Sequence, residues 1–283
     1  MVGVIVLSSN ELSPSGQFDA TVQVPPFNKF IKNLRGMQLQ GRKMGLKELD
    51  LYYSWPNIRT TTTMTFSWKI AGTFTNYTWT LPANYNYSSV SKLNEAFQTF
   101  CIANKLYLID SNQNNVYYME FLANEASYKI DLNAFLVPTS LPATYSEPAG
   151  FVGYPTVSCT PKLTIATGSE LCNLIGFLPG VYDGAASAAV FSSTYIPQFN
   201  PVSTIFVTCN LCKNDVPING STVIATFTAA NTEYGSKIEV KPSNITYYDV
   251  DSDSQQLEVA FFDQNFNQIH ILDPQTTISL EVV

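Results

Sequence analysis

At 283 residues with 45% hydrophobic content, the chain can build one large all-β domain or two smaller ones, with a substantial core. Charged residues make up only 13%, about half of the ordinary share, and a net charge of −7 excludes attraction of the whole molecule to nucleic acid. The polar side is carried by Asn, Ser, Thr, Gln and Tyr, which fits a subunit whose flanks are covered by neighbours and equally fits a secreted or cell-surface β-protein.

In chain order, "MVGVIVLS" opens the sequence without a basic region and runs into polar "SNELSPSG", so it does not read as a signal peptide. "FDATVQV" (18–24) alternates apolar and polar residues as a half-buried strand does. A basic stretch follows, with Lys29, Lys32, Arg35, Arg42, Lys43 and Lys47. It reads either as a solvated face neutralised by acidic groups or as a local face for a genome or an acidic partner. "ELDLYY" (48–53) alternates Leu49, Leu51 and Tyr53 against Glu48, Asp50 and Tyr52, then Trp55 and Pro56 break the pattern. "MTFSWKI" (64–70) sets Met64, Phe66, Trp68 and Ile70 on one face, and "NYTWTL" (76–81) follows a turn within "AGTFT".

A helix is predicted over 87–105, with Val90, Leu93, Phe97 and Cys101 at helical spacing and Ser88 or Ser89 as its N-cap. Strands are predicted at 115–122 and 127–137. A short helix is predicted at 167–177, where Ser169 caps, Leu171, Leu174 and Ile175 face inward and Gly176 stops it. The segment 138–201 is rich in Pro, Gly, Ser, Ala and aromatic residues and reads as a loop-rich insertion whose Phe151, Tyr154, Phe191, Tyr195 and Phe199 seek burial. Strands close the chain at 203–209, 221–228, 256–262 and 277–283. Short strands between Pro, Gly, Asn and Asp clusters, without alternating helices, predict an antiparallel sandwich or barrel. No stretch approaches the ~20 apolar residues of a membrane span.

Catalytic hardware is scarce. His270 is the only histidine, which excludes a two-His metal site within one chain and leaves one candidate base with no G-x-S-x-G elbow beside it. Cys209 and Cys212 form a lone CxxC on a β-like run, and Cys209 reads as core. Cys101, Cys159 and Cys172 complete an odd set of five, which argues against a disulfide framework. Asp249, Asp251 and Asp253 alternate like the first ligands of a calcium loop, but Ser254 stands where the turn glycine belongs and Ala260 where the bidentate glutamate belongs. No P-loop or dinucleotide fingerprint is present. The sequons at Asn76, Asn86, Asn219 and Asn244 stay unmodified without secretion. The expectation is no catalytic residue, no cofactor and no metal. Exposed aromatics keep a carbohydrate- or receptor-binding β-module open, and paired carboxylates keep a glycoside-processing enzyme open.

Several stretches, in order, resemble the penton (minor capsid) proteins of virophages and Polinton-like viruses. These are "ELDLYYSWPNI" (48–58), "WTLPANYNYSSVSKLNEAF" (79–97), "NNVYYMEFLANEASYKI" (114–130), "CNLIGFLPGVY" (172–182), "FNPVSTIFVTCNLCKND" (199–215) and "DQNFNQIHILDPQTTISLEV" (263–282). The turn at 81–86 lacks the family's glycine, so Asn84 or Asn86 must supply a positive φ. The resemblance implies a single jelly-roll sandwich over 1–283, with 138–201 as an insertion within it. It implies a structural role in the virion: homopentamers at the icosahedral vertices of a small double-stranded DNA virus. The implied partners are neighbouring double jelly-roll major capsid trimers, with weak contact to packaged DNA possible through 29–47. Trp55 would cap the end of the core where the strand leaves the sheet, with Pro56 and Asn57 turning the chain into a loop.

Overall fold

The computed structural model describes residues 3–8, 29–34, 37, 39, 41–213, 217–218, 220–229, 232–250, 256–272 and 275–283. The strand expected at 18–24 lies outside them. In chain order the elements are β1 (Gly3–Ser8), β2 (Lys29–Asn33), β3 (Lys43–Tyr52), β4 (Thr62–Ile70), β5 (Thr73–Leu81), α1 (Val90–Ala103), β6 (Leu108–Ile109), β7 (Asn115–Val116), β8 (Met119–Asn124) and β9 (Lys129–Ala134). There follow β10 (Lys162–Ile165), α2 (Glu170–Ile175), β11 (Gly180–Asp183), β12 (Ala189–Ser192), β13 (Ile205–Cys209), β14 (Cys212–Lys213), β15 (Pro217–Ile218) and β16 (Ser221–Phe227). The last are β17 (Lys237–Val240), β18 (Tyr248–Val250), β19 (Gln256–Phe262) and β20 (Thr277–Val282). The protein is mostly β-sheet with few helices.

The residues pack as two compact units: 1–55 with 202–283, and 56–201. The break falls between Trp55 and Pro56, and the return between Pro201 and Val202. The segment 138–201 is woven into the second unit. Its β10 sits between β4 and β11, and its β12 pairs with β9.

The first unit holds two antiparallel sheets. One runs β1-β20-β3-β18-β14, with β17 also on β3, and the other runs β15-β16-β13-β19-β2. Both bury their apolar residues in one cluster, including Ile5, Leu46, Leu49, Val207, Val259, Phe261 and Leu280. Packing of two inner faces in this way is the physical basis of a β-sandwich. Strand β3 shows how its sequence meets the core. Met44 and Leu46 are buried, and so are Leu49 and Leu51, although the two pairs are out of phase in a period-two strand. A bulge resolves the conflict. Ser279 pairs with Glu48 and Leu280 with Leu46, so Lys47 is the extra residue and remains outside. Gly45 lies against the Thr246 backbone and the Ile245 side chain; an added Cβ would sit 2.3 Å from the Thr246 carbonyl oxygen. Beyond β3, Tyr53 and Trp55 are buried with ring centroids 4.4 Å apart, and Tyr234 meets Tyr53 edge-on.

The second unit contains the four-stranded sheet β11-β10-β4-β5, the three-stranded sheet β12-β9-β8 and the small β6-β7 ladder. The turn between β4 and β5 is only Ala71 and Gly72, so "TFT" within "AGTFT" already belongs to the strand. Met64, Phe66 and Trp68 are buried, and Ile70 is half-buried. Helix α1 starts where Ser89 accepts a hydrogen bond from the Lys92 amide, and it buries Leu93, Phe97 and Cys101. Its aromatic face meets Phe66, Trp79 and Phe121. Helix α2 ends at Gly176 with φ 73°, where a Cβ would stand 2.1 Å from the Tyr195 carbonyl oxygen. Asn84 supplies the positive φ of its turn, at 63°. Phe151, Tyr154, Phe191 and Phe199 pack on this core, whereas Tyr195 is 63% exposed, contrary to its expected burial.

Candidate functional site

Asn57, in the "SWPNI" stretch, does more than turn the chain. Its side-chain amide donates to the carbonyls of Tyr87 and Phe199, and its carbonyl oxygen accepts from the Tyr87 amide. Three strands of irregular backbone, far apart in sequence, are held by one half-buried residue. Glu170 at the first turn of α2 acts similarly, accepting from the amides of Arg59 and Thr60.

Apart from the Cys209–Cys212 pair, the residues singled out from the sequence are not brought together. His270 points outward between buried Ile269 and Ile271. Cys209 and Cys212 are both buried, and their mutual hydrogen bond together with burial pushes the Cys212 thiol up. A thiol held protonated in this way is core packing and a poor ligand or nucleophile. All five cysteines are free. Asp249 faces Lys43 at 3.7 Å, while Asp251 and Asp253 lie outside the described residues. In the basic stretch, Lys29 pairs with Glu258 at 3.1 Å, Lys47 with Glu281 at 3.1 Å, and Lys32 donates to the Val6 carbonyl. Arg35 lies outside the described residues. The lysines therefore meet acidic groups or carbonyls of their own unit, which lowers the positive potential available to a phosphate backbone.

An acidic group that sequence reading did not single out lies on the outer face of the first unit. Glu48 and Asp50 alternate along β3, and Glu239 of β17 stands opposite Asp50. Lys237 lies 3.1 Å from Asp50, and Lys241 bridges Glu48 and Glu239. The carboxylates thus form a cross-strand charge ladder with two ammonium groups.

The second unit carries an open groove of about 950 Å³. Tyr118, on the short link between β7 and β8, is buried in its lining, packed edge-on against Trp68 with centroids 5.7 Å apart. Half-buried Tyr117 lies beside Tyr107 and accepts a hydrogen bond from the Asn115 side chain at 3.2 Å. Burial raises both phenols, Tyr118 to about 12, so they stay neutral hydroxyls. One end is ordered by Asp110, which accepts from the amides of Asn112 and Asn114 and from the Asn114 side chain. These hydrogen bonds hold the Asp110 carboxyl below its usual range.

No family model matches the chain. No curated protein matches it. Among solved structures it is similar to the SeMet-labeled mavirus penton protein, over 100% of this chain and 97% of that one, at 12% identity and a TM-score of 0.40. A superposition that loose establishes neither a shared fold nor a shared role. Among the described residues, no helix is long and apolar enough to cross a membrane.

The groove residues had only a faint signal in the sequence. "NNVYY" reads as part of a strand, yet β7 ends at Val116 and β8 begins at Met119, and the irregular link between them puts two successive tyrosines into one lining.

Proposed function

We propose that this chain is a structural capsid protein, a penton that forms pentamers at the icosahedral vertices of a small double-stranded DNA virus. The observation that carries the reading is the co-linear series of penton-like stretches from 48 to 282. Two antiparallel sheets around one core, in residues 1–55 and 202–283, support assigning the jelly roll to that unit. In this reading the second unit, with its loop-rich 138–201 part, is an elaboration carried between β3 and β13. The five copies associate head to tail, one flank meeting the opposite flank of the next, as a closed ring requires. Neighbouring major capsid proteins complete contacts that are individually weak, consistent with a chain in which only 13% of residues are charged. Packaged DNA draws no support from the paired lysines of 29–47, and the role requires no catalysis, cofactor or metal. A reconstruction of the virion tests the proposal. Density for this chain is expected at the fivefold vertices; density at threefold or sixfold positions, or none in the shell, overturns it.

A further inference from the structure

We propose that the groove lined by Tyr117, Tyr118 and Tyr145 in the second unit binds a neutral oligosaccharide, a binding activity that goes beyond a capsid role and does not depend on it. Size and shape come first. About 950 Å³ is at the upper end for a small-molecule site, and the groove is open to solvent, which leaves room for a ligand of several units. Charge comes next. The lining contains no lysine, arginine or histidine, and its one charged side chain is Glu120. Phosphates, sulfated chains and nucleic acid need cationic or clustered amide donors and would face a carboxylate here.

The remaining lining is chemically mixed. Gln98, Asn114 and Asn115 each offer both a donor and an acceptor, and Glu120 offers acceptors alone. Tyr117, Tyr118 and Tyr145 add ring faces or edges with neutral hydroxyls. A sugar carries the matching pattern, with C–H groups on the faces of its ring and hydroxyls, donor and acceptor at once, around the edge. A polyproline peptide also lies in aromatic grooves, but its backbone offers carbonyl acceptors and no N–H. It would leave Glu120 and the amide oxygens facing a ligand with nothing to donate. The site is also largely ordered in advance. Asp110 holds the 112–114 backbone, Tyr118 is wedged on Trp68, and Pro138 and Pro142 stiffen their part of the lining. Such order lowers the entropic cost of binding.

The test uses the full chain with cellotetraose, maltotetraose, mannotetraose and chitotetraose as probes, followed by saturation-transfer NMR and calorimetry. At least one should bind with a Kd of about 1 mM or tighter. Tyr117→Ala and Asn115→Ala should each weaken that binding about tenfold, the effect of losing one anchoring contact. Tyr128→Ala, at a 76% exposed tyrosine outside the groove, should leave it unchanged. Gln98→Ala, at a half-buried position on α1, gives a further variant that removes a polar contact with little packing, and circular dichroism verifies that each variant is folded. Absence of binding to all four probes at about 10 mM overturns the proposal. So does binding that survives both groove substitutions in folded protein, or stronger binding of octaproline or a heparin fragment than of any neutral probe.

Discussion

The two units solve the problem of closing a core in opposite ways. In the first, the partners are remote in sequence: Gly3 of β1 pairs with Val282 of β20, and β3 receives both β17 and β20. Its core is dominated by Leu, Ile and Val along alternating strands. In the second, the main ladders are local hairpins, β4 with β5 across two residues and β8 with β9 across four. Its core is richer in rings, with Phe66, Trp79, Phe97 and Phe121 meeting mostly edge-on among aliphatic side chains. Sheets made of long-range pairs gain from β-branched and aliphatic residues that fit a pleated surface. A unit with helices, short strands and long loops has less regular surface to match, and large rings fill irregular space with few rotatable bonds.

Deleting one buried ring in each unit breaks the comparison most severely. Trp68→Ala, fully buried against Tyr118 and Phe151, should cost about 3–5 kcal/mol, and Trp55→Ala, buried beside Tyr53, a similar amount. Hydrogen exchange should show the first opening chiefly 56–201 and the second chiefly 1–55 with 202–283. Equal loss of protection everywhere after either change would mean that the two units unfold as one.

A smaller effect isolates the sheet geometry of the first unit. Gly45→Ala places a methyl group against the backbone at Thr246, and the strand must shift by an amount that costs about 1–3 kcal/mol. Denaturant unfolding measures it, and a change within about 0.5 kcal/mol would show that the 245–246 segment yields freely. Smallest of all is Lys29→Gln. The lysine is exposed and its partner Glu258 only half-buried, so the loss should be about 0.5 kcal/mol and should shrink further at raised salt. If, under the proposed capsid role, Lys29→Gln together with Lys32→Gln reduced retention of the protein in salt-washed capsids, the basic stretch would have a partner beyond its own unit.

Much of this was legible in the chain. The strands β4, β5, β9, β13, β16, β19 and β20 followed from period-two alternation, whereas β10, β11 and β12 within 138–201, and β17 and β18 after it, did not. Helix α1 followed from the Leu93–Phe97–Cys101 spacing after Ser89, and the end of α2 followed from Gly176, whose φ of 73° an L-residue resists. Turn chemistry was legible too, since Asn tolerates a positive φ and Asn84 adopts it. These are local properties, determined within a few residues by side-chain direction and backbone sterics.

Other features depended on partners that no local pattern names. The phase slip in β3 is visible as Leu46 followed by Leu49, but only the pairing with β20 makes it a bulge at Lys47. The basic stretch already read as a face that acidic groups could neutralise, but no local pattern names Glu258 and Glu281, more than two hundred residues away, as the partners of Lys29 and Lys47. Asn57 read as a turn residue, and its bonds to Tyr87 and Phe199 make it a staple. The groove has the same origin. Gln98 from α1, the tyrosines at 117 and 118, and the loop around Tyr145 meet because packing of α1 on β8 brings them there. Sequence by itself determined the β-rich class, the two helices and the turns, because those energies are short-ranged. Only the tertiary structure decided the division at Trp55 and Pro201, the ion-pair partners and the groove, because each rests on contacts between segments that the chain holds far apart.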